Sequence, residues 1–128
     1  GNLYVKRIVP AMHQAGYVFE RATNISMAEQ HLRAIAGLPL MPVKQLMPVV
    51  AAYFTPAQES GIRTQWQIKT NWFFNFYHRT LLQAHRAPVA GHVLVEAPSV
   101  KEALEQIEDT SIWQFGQTTP ADNEPEAE

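Results

Sequence analysis

The sequence predicts an α+β fold in which N-terminal helices pack on one face of a small, mainly antiparallel sheet. Apolar residues recur at helical spacing through residues 11–54, whereas residues 62–77 alternate with a period of two. A short strand and a capped helix follow, so a strand–helix–strand unit is expected near the C-terminus. Helices early in the chain and strands later are typical of α+β proteins.

Three helices are predicted before the alternating run. The first follows Pro10, which suits a first helical position, and the second opens at Ser26 with Glu29 as its capping-box partner. The third has the most regular apolar stripe: Val43, Leu46, Met47, Val50, Ala51 and Phe54. Pro48 lacks the N–H that a helix needs, so we expect a kink there or a helix that begins there.

The alternating run extends from Ile62 to Tyr77. Its even positions are Ile62, Thr64, Trp66, Ile68, Thr70, Trp72, Phe74 and Phe76, and its odd positions are rich in amide, basic and aromatic side chains. Because successive side chains of a strand point to opposite faces, the run predicts one long strand with one apolar face. A helix over residues 72–85, capped by Asn71, is the competing interpretation of its second half.

The last part of the domain combines short apolar segments with a cap. Residues 93–97 predict a strand, Ser99 with Glu102 predicts a helix start, and residues 112–115 predict a final strand. From Gly116 onward the composition cannot support a core. We therefore expect a single globular domain over residues 1–115 and an acidic, disordered tail over residues 116–128.

Composition limits the possible classes of protein. The chain has no cysteine, which excludes a disulfide scaffold, a cysteine nucleophile and a thiolate metal site, and fits a reducing compartment. A cytoplasmic location is therefore expected. No apolar stretch approaches the ~18 residues that span a bilayer, so no membrane span is expected.

Charge is distributed unevenly along the chain. Residues 1–95 carry a net charge of +6 and residues 96–128 a net charge of −8, and no acid occurs between Ser60 and Val95. A basic body with an acidic end fits an anionic partner. A solvated acidic helix face followed by a disordered end is the alternative interpretation.

The sequence contains few signs of catalysis. It has no glycine-rich phosphate loop and no GxSxG motif. His78, His85 and His92 are spaced by seven residues, but a metal site needs ligands that converge on one point, so we interpret them as scattered surface histidines. The sequence therefore predicts no catalytic residue, no metal, no cofactor and no enzyme activity.

The odd face of the alternating run is the most specific candidate site. Aromatic side chains on an exposed sheet can stack on unpaired bases, amides can read base edges, and basic groups can contact phosphates. The sequence thus predicts a non-enzymatic module that contacts single-stranded nucleic acid through seven residues: Arg63, Lys69, Asn71, Phe73, Asn75, Tyr77 and Arg79.

Two alternative functions remain open from the sequence. The same strand could serve as a protein–protein interaction or homodimerisation surface, because an exposed aromatic strand can pair with another chain. A small ligand could also bind in a pocket lined by the tryptophans, Trp66, Trp72 and Trp113.

Overall fold

The computed structural model describes residues 4–5, 8, 10–78 and 89–113, and their fold is α+β as predicted. Three antiparallel strands form one sheet in the order β1-β3-β2: β1 (Val49–Phe54), β2 (Trp72–Phe76) and β3 (Gly91–Glu96). The α-helices are α1 (Phe19–Ala22), α2 (Met27–Ile35), α3 (Glu59–Ile68) and α4 (Val100–Glu108). Short 3₁₀ turns lie at Gln14–Gly16 and Pro56–Gln58. Within these ranges, no helix is long and apolar enough to cross a membrane.

The central strand β3 is covered on both faces. Its residues from Gly91 to Val95 are all buried, and β1 and β2 pair with it on either side. A strand that is buried on both faces has a continuous apolar sequence rather than an alternating one, as Val93-Leu94-Val95 does here.

One sheet face carries the main core. Val93 and Val95 of β3 pack there with Phe54 of β1, and α3 and α4 contribute Ile62 and Ile107, which are fully buried. The opposite face carries α1, whose Arg21 reaches both Glu96 and Phe73 across the sheet.

The capped helices are found where their caps predict them. Ser26 accepts a hydrogen bond from the backbone N–H of Glu29 (3.1 Å), and Ser99 accepts one from that of Glu102 (3.2 Å). Gly37 follows α2 with a φ of +65°, which a residue without Cβ adopts at no steric cost. The first predicted helix is shorter than expected and is reduced to a 3₁₀ turn and α1.

The predicted third helix over residues 43–54 is wrong. Residues 49–54 form β1, and residues 38–47 form neither a helix nor a strand apart from an isolated bridge between Thr23 and Gln45. Pro42 and Pro48 remove two backbone donors, and pairing with β3 supplies hydrogen bonds that a broken helix could not. The helical stripe is therefore coincidental.

The predicted single strand from Ile62 to Tyr77 is wrong in its first half. Residues 59–68 form α3, which begins after a capping box at Thr55 and Gln58 and a proline at the first position of the preceding turn. The second half is right, because Trp72–Phe76 is a strand and the competing helix is absent over those residues. The remainder of that competing helix, residues 79–85, lies outside the described residues.

The C-terminal strand–helix pair is confirmed by β3 and α4. Ala103 and Ile107 are the buried positions of α4, whereas Val100 and Leu104 are exposed. Ile112 and Trp113 lie in a bend rather than in the predicted last strand, and Ile112 packs against the core. Residues 114–128 lie outside the described residues, so the boundary of the domain at residue 115 stays a prediction.

Candidate functional site

Strand β2 separates two sets of side chains as the alternation predicts. Trp72, Phe74 and Phe76 belong to the main core. Phe73 and Asn75 lie on the other face, where Asn75 pairs with His92 of β3 in the sheet register. Tyr77 follows the strand and continues this second face towards His92.

Three tyrosines surround His92, and together they form a tyrosine–histidine cluster (Tyr17, Tyr53, Tyr77 and His92). The Tyr17 ring stacks on the imidazole with centroids 4.8 Å apart, and the rings of Tyr53 and Tyr77 lie at 5.7 and 5.6 Å. The Tyr77 hydroxyl oxygen is 2.7 Å from His92 Nδ1. The Tyr53 hydroxyl donates a hydrogen bond to the Gln14 carbonyl (2.7 Å), which ties the N-terminal segment to β1.

The imidazole of His92 is buried at the centre of the cluster. His92 is 4% exposed, and its Nε2 has no hydrogen-bond partner among the described residues. Either the Tyr77 hydroxyl donates to Nδ1 or a protonated Nδ1 donates to the hydroxyl, and both arrangements leave Nε2 unpaired. Burial lowers the pKa of His92, so the imidazole is neutral near pH 7.

Tyr77 keeps its proton more firmly than an ordinary tyrosine. Burial, and then the nearby Tyr17, Tyr53 and Glu20, raise the pKa of Tyr77 to about 12. Burial and Tyr17 also raise the pKa of Tyr53. A neutral histidine packed among protonated tyrosines can hold the N-terminal segment, β1 and the end of β2 against β3. Because His92 is buried, it does not contact a dissolved substrate directly.

Stability is expected to fall in acid because His92 must stay neutral when it is buried. In the unfolded chain His92 takes up a proton near its ordinary pKa of 6.5, whereas the folded chain resists this uptake. Stability should therefore decrease as the pH falls below about 6.5. Urea titrations across this range would measure it, and His92→Phe should show a flatter pH dependence; equal slopes in both proteins would contradict the assignment.

Arg21 attaches α1 to the same sheet face. Its guanidinium carbon is 3.6 Å from the centroid of the Phe73 ring, and its Nε donates to Glu96 Oε1 at 2.7 Å. A cation over an aromatic ring and a charge-assisted hydrogen bond together position the helix. Phe73 is therefore covered by Arg21 rather than free to stack on a base.

Of the seven residues predicted to contact nucleic acid, the six that the structure describes do not form one surface. Phe73, Asn75 and Tyr77 share the half-buried face just described. Arg63 lies on α3, where it pairs with Glu59 (2.7 Å) and contacts the Phe76 ring on the core side of the sheet.

Two further residues of the seven, Lys69 and Asn71, lie next to strand β2 and contact other parts of the fold. Lys69 follows α3 and lies 5.3 Å from the Trp72 ring centroid. Asn71 donates to the Glu96 carbonyl and to Gln106 Oε1, which ties β2 to β3 and α4. Arg79 lies outside the described residues.

Two of the tryptophans are structural. Trp72 donates its indole N–H to Gln106 Oε1 (3.1 Å), and Trp113 donates to the Tyr53 carbonyl (2.6 Å). Their ring centroids are 6.3 Å apart at the edge of the main core. Trp66 is more than half exposed on α3 and packs against Phe74 and Phe76.

The interpretation of the histidines as scattered surface residues is wrong for His92. His78 is exposed, His85 lies outside the described residues, and His92 is buried. Among the described residues, no group of three His, Cys, Asp or Glu could hold a metal ion. The apolar sequence on both sides of His92 was the signal for its burial, whereas Tyr17 and Tyr53 gave no local signal that they approach it.

Comparison with known proteins relates the chain to one kind of enzyme. No model of a known protein family matches it. A curated N5-carboxyaminoimidazole ribonucleotide synthase from Brucella melitensis biotype 1 is 48% identical over 40 residues, which are 31% of this chain and 11% of that enzyme. The match is thus strong but short.

Solved structures of enzymes with the corresponding name share most of this fold. The ADP complex of an N5-carboxyaminoimidazole ribonucleotide synthetase matches 86% of this chain and 29% of its own, with 28% identity and a TM-score of 0.74. The enzyme from Thermotoga maritima matches 78% of this chain and 29% of its own, with 28% identity and a TM-score of 0.62. The enzyme from Staphylococcus aureus matches 85% of this chain and 29% of its own, with a TM-score of 0.70. Because the two are only 20% identical, this match shows the fold alone.

These findings correct the functional prediction. The chain spans less than a third of the length of the solved enzymes that it matches. The proteins that it resembles are synthetases, so the prediction of a non-enzymatic module that binds single-stranded nucleic acid is wrong. The same similarity to synthetases overturns the two alternative predictions, an interaction module and a small-ligand domain. The chain resembles one part of an N5-carboxyaminoimidazole ribonucleotide synthetase.

Proposed function

We propose that this chain works as one part of an N5-carboxyaminoimidazole ribonucleotide synthetase. The observation that supports the proposal is the match over 86% of the chain at 28% identity and a TM-score of 0.74. The 40 residues that are 48% identical to the Brucella enzyme support it independently. The remaining parts of such an enzyme would be supplied by other residues of the same polypeptide or by another chain.

The name of these enzymes states the product, an aminoimidazole ribonucleotide that carries a carboxyl group on N5. One of them is solved with ADP, which fits a synthetase that uses an adenine nucleotide. This sequence has no glycine-rich phosphate loop, so we assign no nucleotide contact to it. Its proposed contribution is a rigid unit in which the tyrosine–histidine cluster and Arg21 fix the N-terminal segment on the sheet.

A cytoplasmic location is part of this proposal. It agrees with the cysteine-free composition, which suits a reducing compartment. The partner that the proposal requires is the remainder of the enzyme rather than a nucleic acid.

A graft into a solved enzyme tests the proposed function. The matching part of the Thermotoga maritima synthetase is replaced by this chain, and formation of the carboxylated ribonucleotide is measured. We expect the chimera to retain activity within roughly a hundredfold of the parent, which corresponds to ~3 kcal/mol of barrier.

Two controls make the graft decisive. The parent segment is reinserted through the same junctions, which measures the cost of the junctions, and a deletion of the segment measures the background. A chimera that folds, as judged by circular dichroism, and yet makes no more product than the deletion would refute the proposed function.

A further inference from the structure

Helix α2 and the segment after it, residues 38–46, expose many large apolar side chains. We call the exposed side chains of Leu32, Ile35, Leu38, Leu40, Val43 and Leu46 the α2 face. Leu32, Ile35 and Leu46 are 65%, 71% and 65% exposed, and no residue of α2 is buried. Large exposed apolar side chains that gather on one part of a soluble protein often mark a site that another surface covers.

Polar side chains hold this segment in place. Gln30 donates to the Met41 carbonyl (2.7 Å) and accepts from the Met41 N–H (3.1 Å), which acts as a clamp on the backbone. Asn24 makes a similar pair of bonds with the Pro42 carbonyl (3.1 Å) and the Lys44 N–H (2.6 Å). The amide side chains of Gln30 and Asn24 thus fix the backbone of this segment, while its apolar side chains stay exposed.

A groove lies beside the α2 face and shares Leu40 and Val43 with it. It has a volume of about 370 Å³ and is lined by Phe19, Ile25, Met27, Ala34, Leu40 and Val43 among others. A preformed apolar groove can take large side chains of a partner with little ordering of its own backbone.

Charge is scarce along this part of the sequence. From Ala34 to Gln58 the only charged residue is Lys44. Depletion of charge is typical of the centre of a protein interface, whereas a surface that contacts nucleic acid is rich in Lys and Arg. The chemistry therefore fits an apolar protein surface.

We propose that the α2 face docks against the body of the synthetase, and this inference rests on the proposed function. The solved enzymes contain more than two thirds of their length outside the part that this chain matches, so they possess the additional folded surface that could cover this face. The occupant is thus a folded apolar surface of the same enzyme.

The test compares two double variants in two settings. Leu40→Lys with Leu46→Lys places two charges on the α2 face, and Ile68→Lys with Leu104→Lys places two charges at exposed positions on α3 and α4 that share no groove with that face. In the isolated chain neither double variant should shift the thermal midpoint by more than ~2 °C, because all four side chains are exposed. In the Thermotoga chimera the α2-face variant should lower the midpoint by at least ~5 °C relative to the α3/α4 variant.

The outcomes show whether the α2 face is covered by the body of the enzyme or by a second copy of this chain. Equal midpoints for the two chimeric variants, or a chimera that does not fold even with the natural sequence, would overturn the docking proposal. An isolated chain that sediments as a dimer, and that the α2-face variant splits, would identify a second copy as the occupant and overturn it too. A folded chimera without synthetase activity refutes the proposed function, while the midpoint difference still reports on docking.

Discussion

Replacement of Gly91 by alanine is expected to destabilise the fold by about 3 kcal/mol or more. Gly91 begins the central strand and pairs with Phe54 on one side and Phe76 on the other. A Cβ at this position would overlap the backbone carbonyl oxygen of Asn75 and the Phe54 ring. The backbone atom cannot rotate away as a flexible side chain can, so the strand itself would have to shift. Urea unfolding followed by circular dichroism measures the loss.

Gly61 provides the matched control for this prediction. It lies in α3, and an added Cβ would meet only the Ile112 side chain, at 3.3 Å. Alanine in a helix is favoured over glycine by roughly 0.5–1 kcal/mol, which offsets a small displacement of that side chain. Gly61→Ala should therefore be neutral or mildly stabilising. If Gly91→Ala unfolds at the same urea concentration as the natural protein, the close packing of Gly91 against the Asn75 carbonyl and the Phe54 ring is wrong.

Local signals located the two helices that open at a serine cap. Ser26 and Ser99 accept backbone hydrogen bonds three residues ahead, so α2 and α4 can be located from a few residues each. Strand β1 could not be located in this way. Its apolar residues coincide with a helical stripe, and only its pairing with β3, about 40 residues further along the chain, makes it a strand.

The candidate site depended on contacts between distant residues. The alternation in β2 correctly placed Phe73 and Asn75 on one face, but the sequence did not show that Arg21 covers Phe73. Tyr17 and His92 lie 75 residues apart in sequence and stack in the fold. Only the comparison with solved enzymes related the chain to a synthetase, because its sequence contains neither the glycine-rich phosphate loop nor the GxSxG motif that were sought.

Two isoleucines of α3 distinguish the helix from the strand that the alternation predicted. In a strand, Ile62 and Ile68 would share a face and would be buried alike. In a helix they are separated by six residues, or about 240° around the axis, so they point in different directions. Ile62 is fully buried in the main core, whereas Ile68 is 64% exposed at the end of the helix.

Ile62→Ala should therefore lower the free energy of unfolding by ~2–5 kcal/mol, because it removes buried methyl groups and leaves a cavity. Ile68→Ala should change it by less than ~0.5 kcal/mol, because its side chain is mostly exposed. Since the chemical change is the same and both residues lie in one helix, helix propensity largely cancels between the two variants. Chemical denaturation of the two variants measures the difference directly. Equal losses of unfolding free energy in the two variants would favour the strand. They would also contradict the packing of Ile62 in the core with Phe54 and Val93.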